Sequence, residues 1–308
     1  MKSVVIALGG NSVLEEGEKP TFETQFLRVT KAAESIAKML SKRDFGLVIT
    51  HGNGPQVGDE LLRNEIGKKA IPRLPLFSIN AETQALIGSM IEVALHNSFV
   101  KFGVHKDIAV VLTHMVVDRK DPAFRKPAKP IGPFYTESEL KRELKLEKFD
   151  YAAERGEYRK VVASPSPRQV LEIDSISRLV GNGKVVIAGG GGGVPVYRKG
   201  GKLIGVDAVI DKDYEARLIA SSINASEMII LTDVDYVYSD FPNNKKAIRS
   251  ARAKYIKRIL GTLEAGTMYP KIRACVDFIE NGGKRAYVGN LSKLGEIVDG
   301  TSGTVITQ

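Results

Sequence analysis

The sequence predicts an α/β protein, an open, mostly parallel three-layer αβα sandwich with one small inserted subdomain. Short apolar runs alternate with helical patterns almost throughout, an order that builds a parallel sheet covered by helices on both faces. Several of those runs end in glycine-rich turns: Val4-Val5-Ile6-Ala7-Leu8 enters Gly9-Gly10-Asn11-Ser12, Leu47-Val48-Ile49 enters Thr50-His51-Gly52-Asn53-Gly54-Pro55, and Val185-Val186-Ile187-Ala188 enters the glycines at 189–193. A parallel strand buried on both faces reads as a continuous apolar run. Glycine beyond its C-terminal end lets backbone N–H groups approach an anion closely, at the strand ends where open α/β sheets place their ligands. Residues 118–167 break the rhythm with Pro122, Pro127, Pro130, Pro133, Pro165 and Pro167 amid dense Lys and Arg, and are too long for an ordinary connection. They read as an inserted subdomain, a candidate lid over the site, with a solvated surface excursion as the alternative.

From the N-terminus, the first strand covers 4–8. Phe22, Phe26, Val29, Ala33, Ile36 and Leu40 then recur at helical spacing and predict a helix over 21–42. Thr21 after Pro20, followed by Glu23 and Thr24, supplies its start. A strand at 46–50, helices near 55–66 and 80–100 and a strand at 108–112 precede the insertion. Beyond it the patterns predict a helix over 168–181, a strand at 184–188, the glycine run and a short hairpin near 194–206. A second lobe reads as a helix near 211–223, a strand at 228–231, a loop, a helix near 267–281, a strand at 285–288 and a closing edge strand at 304–306.

The 308 residues suit one large α/β domain or two lobes, and 43% hydrophobic content is enough for a sizeable core. No apolar run approaches the ~20 residues that span a bilayer, and Gly9-Gly10 cuts the first run too early for a signal-peptide pattern. The single Cys275 sits in a helical pattern and reads as a small core residue. A reducing, cytoplasmic setting is the expectation. The net charge of +9 is spread along the chain, and the few aromatics do not alternate with basic residues in a stacking array, so nucleic-acid binding is not expected.

The glycine turns are not a phosphate loop of the Gly-Lys-Ser/Thr type, and Gly9-Gly10-Asn11 lacks the later glycines of a dinucleotide fingerprint. No Ser/His/Asp triad is apparent. His51 stands beside a glycine turn, where a hydrogen-bonding turn role is the plainer reading, and His96, His105 and His114 lack metal-ligand spacing. Lysines stand out instead. Lys129 lies in the stiff segment Lys126-Pro127-Ala128-Lys129-Pro130, Lys212 sits between Asp211 and Asp213 at a predicted helix start, and Lys271 follows Met268-Tyr269-Pro270 at the head of another helix. Helix N-termini carry partial positive charge and free N–H groups, so lysines there reinforce an anion site.

The stretches VVIALGGNSVL, VITHGNGPQVG, AETQALIG, VVDRKDPAFRKPAKPIGPFY, VVASPSP, VVIAGGGGGVPV, GVDAVIDKD, ILTDVDYVY and GTMYPK run from end to end of the chain in one order. With them the chain resembles the amino acid kinase family and, within it, the carbamate kinase subfamily. Ala7 stands where many amino acid kinases carry a lysine on the first strand, which again is similar to the carbamate kinases, as is the insertion bearing Lys129.

The resemblance implies the amino acid kinase type of sandwich, with a substrate-binding lobe at 1–205, insertion included, and a nucleotide-binding lobe at 206–308. It implies reversible phosphoryl transfer between ATP and carbamate, with ATP or ADP and Mg2+ required and no direct ligation of metal by the protein. It also implies a homodimer acting on small molecules, without nucleic acid or membrane. Carbamate is already an anionic oxygen nucleophile, so positioning and charge stabilisation are the main catalytic needs.

By the same resemblance, Gly9, Gly10 and Asn11 cradle the transferred phosphoryl group. Gly52, Asn53, Gly54, Gly190, Gly191 and Gly192 face the carbamate. Lys129 reaches the acyl or phosphoryl oxygens, Lys212 and Lys271 neutralise the ATP phosphates, and Asp213 orients the lysines, with contact to Mg2+ only through water. Asp233, Tyr238 and Met268 lie where the family holds the nucleoside. Structural alternatives stand beside these roles: Asp213 as a helix N-cap, and Tyr238 and Met268 as core.

The chain departs from the family pattern at Phe77, where many relatives have Asp, at Tyr269, where glycine is usual, and in the short basic loop after Tyr238. Two other readings remain: a phosphotransferase of the same fold acting on another small carboxylate or acyl phosphate, and a non-catalytic nucleotide-binding regulator.

Overall fold

β1 (Ser3–Leu8) is buried from Val4 onward because helices cover both faces of its sheet. The structure, a computed structural model, describes residues 2–15, 17–144, 150–154, 156–239, 246–261 and 268–308. α1 (Phe22–Leu40) starts at Thr21, whose hydroxyl accepts the Thr24 N–H. β2 (Gly46–His51) is buried at every residue. α2 (Gly54–Gly67) has Pro55 in its first turn, and α3 (Leu76–Phe102) stops at Gly103, which takes the left-handed φ of 64° that ends helices. β3 (Ile108–Val111) and β4 (His114–Val117) follow. The insertion holds β5 (Lys129–Tyr135), α4 (Glu137–Leu144), β6 (Asp150–Glu154) and β7 (Glu157–Val162). Next come β8 (Pro167–Val170), α5 (Ile173–Gly181), β9 (Val185–Ala188), β10 (Val194–Lys199) and β11 (Lys202–Gly205). The last third contains α6 (Lys212–Ser222), β12 (Glu227–Thr232), β13 (Val237–Tyr238), β14 (Ala247–Ile248), β15 (Ser250–Arg252), α7 (Ala253–Ile259), α8 (Met268–Glu280), β16 (Arg285–Asn290), α9 (Leu294–Asp299) and β17 (Thr304–Thr307).

Among the described residues the main sheet has 8 strands in the order β15-β17-β16-β12-β1-β2-β9-β3. Its pairs are parallel except β16 with β17. Strand alternation divides the core into two layers. Val5, Ala7, Val48 and Val186 face a cluster with Ile176 of α5, Ile219 of α6 and Cys275 of α8. Val4, Ile6, Leu8, Leu47 and Ile49 face a cluster with Ile36 of α1, Ile91 of α3 and Ile297 of α9. The sandwich is therefore the expected three-layer one. Strands from either side of residue 205 share this sheet, since β1 pairs with β12 as well as with β2.

The insertion is folded: β5, β7 and β6 make an antiparallel sheet, and α4 adjoins it. It stands on β4 and β8, which pair antiparallel in a separate 4-stranded sheet, β11-β10-β4-β8. Here the expected helix over 168–181 is corrected. Residues through Val170 form β8, where Pro167 and Val170 turn inward against β4, and the helix begins only at Ile173. β4 itself is not among the expected elements, because Met115 to Val117 run straight into the charged segment that begins at Asp118. The third helix starts at Leu76, earlier than 80, and the closing strand is not at the edge, because β15 pairs outside β17. Residues 240–245 of the basic loop, and 266 and 267 of the GTMYPK stretch, lie outside the described residues.

Candidate active site

In a parallel sheet all C-terminal strand ends open on one side, and the glycine turns of β1, β2 and β9 meet there. After β1, Gly9 admits no side chain, because a Cβ would sit 2.7 Å from the Leu231 carbonyl oxygen at the end of β12. Gly10 to Ser12 then form a short 3-10 turn. After β2, the buried Asn53 donates through Nδ2 to Thr83 Oγ1 of α3 at 3.0 Å. After β9, Gly189, Gly191, Gly192 and Gly193 all have left-handed φ values, from 67° to 90°. A Cβ on Gly191 would overlap the Asn53 side chain, and one on Gly190 would overlap the His51 ring. Gly190, Gly191, Asn53 and His51 are thus packed together, as only glycines in the run allow. Gly54 opens α2 beside Asn53.

The lysines converge on the head of α6. Asp211 is the N-cap, accepting the Asp213 N–H through Oδ1 at 3.0 Å, so the capping role expected as an alternative for Asp213 belongs to Asp211. Lys212 Nζ donates to Asp213 Oδ1 at 2.8 Å, and Lys271 Nζ, from α8, donates to Asp213 Oδ2 at 3.1 Å. Asp213 is only 2% exposed. Burial alone would raise its pKa, but the ammonium groups of Lys212 and Lys271 outweigh it and hold the carboxyl below the ordinary value. Lys129, the first residue of β5, donates to Asp211 Oδ2 at 3.0 Å. The Lys212 stem also approaches Gly52, whose Cβ would lie 3.4 Å from Lys212 Cδ. One helix start therefore joins the insertion, the β2 turn and α8.

A cavity of about 570 Å3 opens beside it, with Gly9, Gly10, Asn11, Asp233, Lys271 and Asn290 in its wall. Asp233 accepts the Thr232 hydroxyl at 2.9 Å through Oδ1, and its carbonyl accepts Asn290 Nδ2 at 3.0 Å. Tyr238 on β13 and Met268 at the head of α8 are not among the residues that line this cavity, and Met268 packs partly buried against the α6–α8 core. Among the described residues, no group of three or more His, Cys, Asp or Glu side chains is arranged to hold a metal ion.

His51 is buried, and its Nδ1 lies 3.0 Å from the Gly52 carbonyl oxygen, to which it donates as the neutral ring. Burial drives its pKa down to about 4. It is therefore a structural turn residue, uncharged at neutral pH. Phe77 opens α3 with its N–H on Asp207 Oδ1 at 3.3 Å and its ring 2.6 Å from where a Gly205 Cβ would be, so it packs on the end of the β10–β11 hairpin. Tyr269 stays partly exposed on α8.

Sequence reasoning missed Asp211 as a partner of Lys129, Thr83 as the anchor of Asn53, Asn290, and Glu215. Asp211 had a signal in its place before Lys212. Glu215 is fully buried on α6, and burial, opposed by Lys212, drives its pKa well above the ordinary carboxylate value.

The chain matches the amino acid kinase family over residues 2–290. A carbamate kinase of Pyrococcus horikoshii is 41% identical over 310 residues, covering 99% of this chain and 98% of that protein. A carbamate kinase of Thermococcus kodakarensis is 42% identical over 316 residues, covering 100% of each. Among solved structures, carbamate kinase from Giardia lamblia bound to AMP-PNP has a TM-score of 0.93 at 36% identity, covering 99% of this chain and 98% of that one.

Proposed function

The chain belongs to the amino acid kinase family, and from that premise we propose that it catalyses reversible phosphoryl transfer between ATP and carbamate: carbamoyl phosphate and ADP give carbamate and ATP. The observation that carries this reading is the gathering of Lys129, Lys212 and Lys271 on Asp211 and Asp213, beside the glycine turns. Carbamate brings its own anionic oxygen, so no general base is required. What the reaction needs is cationic and N–H groups that hold one anion in line with a polyphosphate.

In this reading Gly9, Gly10 and Asn11 cradle the phosphoryl group in flight. Gly52, Asn53, Gly54, Gly190, Gly191 and Gly192 bound the carbamate. Lys129 neutralises charge on the acyl side, and Lys212 and Lys271 stabilise the transferred and nucleotide phosphates. Asp213 keeps both ammonium groups aimed. Asp233, Tyr238 and Met268 belong to the nucleotide side. Mg2+ enters as part of the nucleotide substrate. Asp213 already spends both oxygens on lysines, which suits contact with the ion through water. Acceptor binding falls to 1–205 and nucleotide binding to 206–308. By likeness to the family the enzyme is a cytoplasmic homodimer. Exposed Leu86, Val93 and Val100, recurring every seventh residue along α3, support a second copy, and light scattering reads that state.

The test is to mix the protein with ADP, Mg2+ and carbamoyl phosphate and to measure ATP, beside Lys129→Ala. ATP formed by the wild type and lost in the variant supports the reaction and the role of Lys129. No ATP from a wild type that still binds ADP transfers the assignment to another small carboxylate or acyl phosphate, or to a nucleotide-binding regulator.

A further inference from the structure

Gly189 and Glu215 share one space. A Cβ built on Gly189 would overlap Oε1 and Cδ of Glu215, and would also lie 2.9 Å from Ile219 Cδ1 of α6. The Glu215 carboxyl thus fills the volume that a side chain at 189 would take. Among the described residues, neither carboxyl oxygen has a partner within hydrogen-bonding geometry, although Glu215 is fully buried. Three amides of the glycine run have partners of their own. Gly189 N–H donates to Thr113 Oγ1 at 2.9 Å, Gly192 N–H to Gly189 O at 3.1 Å and Gly193 N–H to Gly190 O at 3.1 Å. The carboxyl therefore enters the loop as a wedge, facing the Gly192 N–H that Gly189 O already takes. A buried polar group without partners costs stability that an apolar side chain of like size would not, which makes such a group beside a reaction site a candidate for function.

Its position says which function. Glu215 lies three residues after Lys212, and residues at that spacing share a helix face. The face of α6 that directs Lys212 to Gly52 and Asp213 directs Glu215 to Gly189. One rigid helix turn therefore spans the distance between a cationic group and the glycine run. Thr50, before the β2 turn, also has a buried hydroxyl without a partner among the described residues, and alternation along β2 puts it on the α6 side of the sheet with Val48.

We propose that Glu215 is a positioning residue for phosphoryl transfer: wedged under Gly189, it sets the height of the 189–193 run relative to Lys212, and with it the acceptor pocket. This rests on the functional reading above, in which Gly190, Gly191 and Gly192 bound the acceptor.

The experiment compares Glu215→Ala, Glu215→Asp and Glu215→Gln with the wild type, reading kcat, KM for carbamoyl phosphate, ADP affinity and Tm. Withdrawing the wedge in Glu215→Ala or Glu215→Asp is expected to raise KM for carbamoyl phosphate and lower kcat/KM at least tenfold. ADP affinity stays within twofold. Glu215→Gln, which keeps the shape, stays within threefold of the wild type. Gly189→Ala is expected to inactivate the wild type through overlap, and to regain part of its activity when combined with Glu215→Ala, the φ of 73° and Ile219 Cδ1 still opposing the methyl group. A loss of Tm alone, with kinetics unchanged in Ala and Asp variants, would overturn the proposal, as would strictly additive effects of Gly189→Ala and Glu215→Ala. If the wild type makes no ATP, the functional reading fails on its own. The Gly189–Glu215 interlock is still read by the non-additivity of Tm in the same four proteins.

Discussion

Lys271 donates to Asp213 across 58 residues of chain, at 3.1 Å, and so ties the head of α8 to the head of α6. Because the other oxygen of Asp213 receives Lys212 at 2.8 Å, one buried carboxylate balances two part-buried ammonium groups. Asp213→Asn removes that balance. Turnover is expected to fall by about 100-fold or more, the scale seen when an aimed cationic or N–H group is lost. Breaking a buried charge cluster from one side should also destabilise the fold by roughly 3–5 kcal/mol. Steady-state kinetics and urea unfolding check both. An Asn variant with wild-type kinetics would remove Asp213 from the reaction.

Lys129 and Asp211 make the corresponding link between insertion and main body, at 3.0 Å. Asp211 also caps α6. Asp211→Asn keeps the cap, since Asn is an equally good N-cap, but frees Lys129 from its anion. The expected result is little change in Tm with a lower kcat/KM for carbamoyl phosphate. Lys129→Arg should not restore activity, because a planar guanidinium does not replace a compact ammonium. Full activity in Lys129→Arg would make this lysine a surface charge.

His51 predicts an acid limit. Its pKa is about 4 in the folded chain against 6.5 when unfolded, so between those values the unfolded chain binds more protons. Stability therefore rises with pH from about 4 to 6.5 and is level above, a contribution of about 3 kcal/mol at neutral pH. Glu215 acts with the opposite sign: its raised pKa stabilises the fold below the unfolded carboxylate value and withdraws that stability as pH rises. Because the two proton differences oppose each other above about pH 4.5, the His51 part is read by comparison: the denaturant midpoint of the wild type relative to that of His51→Gln should climb from pH 4 to 6.5 and then level. A pH-independent difference between the two proteins would assign the acid limit to other groups.

Cys275 is wholly buried on α8, and burial drives its thiol pKa well above the ordinary value. The thiolate is the reactive form, so a thiol reagent added to the native protein at pH 8 should label it only on unfolding. Labelling within minutes, without denaturant, would show that α8 opens locally.

Much of the frame was legible in the chain. β1, β2, β9 and β12 announce themselves as apolar runs, and the helix of Phe22, Val29 and Ile36 by its spacing, because these signals live within a few neighbouring residues. The glycine turns and the lysines at helix heads were legible for the same reason, and the structure brings Gly52, Asn53, Gly190, Gly191, Lys129, Lys212 and Lys271 to one end of the sheet. Short or composite elements were not. β4 is held between β10 and β8, and β8, whose partner is β4, reads in the sequence as the start of the helix that follows it.

By itself, then, the sequence determined which segments become strands and helices, which ends carry glycine, and the family to which the chain belongs. Those depend on local periodicity, turn chemistry and motifs in order. The tertiary structure alone decided that β17 lies inside β15, that Lys212 and Lys271 share Asp213 while Lys129 takes Asp211, and that Glu215 occupies the space Gly189 leaves. Each of these joins residues far apart in the chain, whose meeting is set by sheet order and by the close packing of helices on both faces.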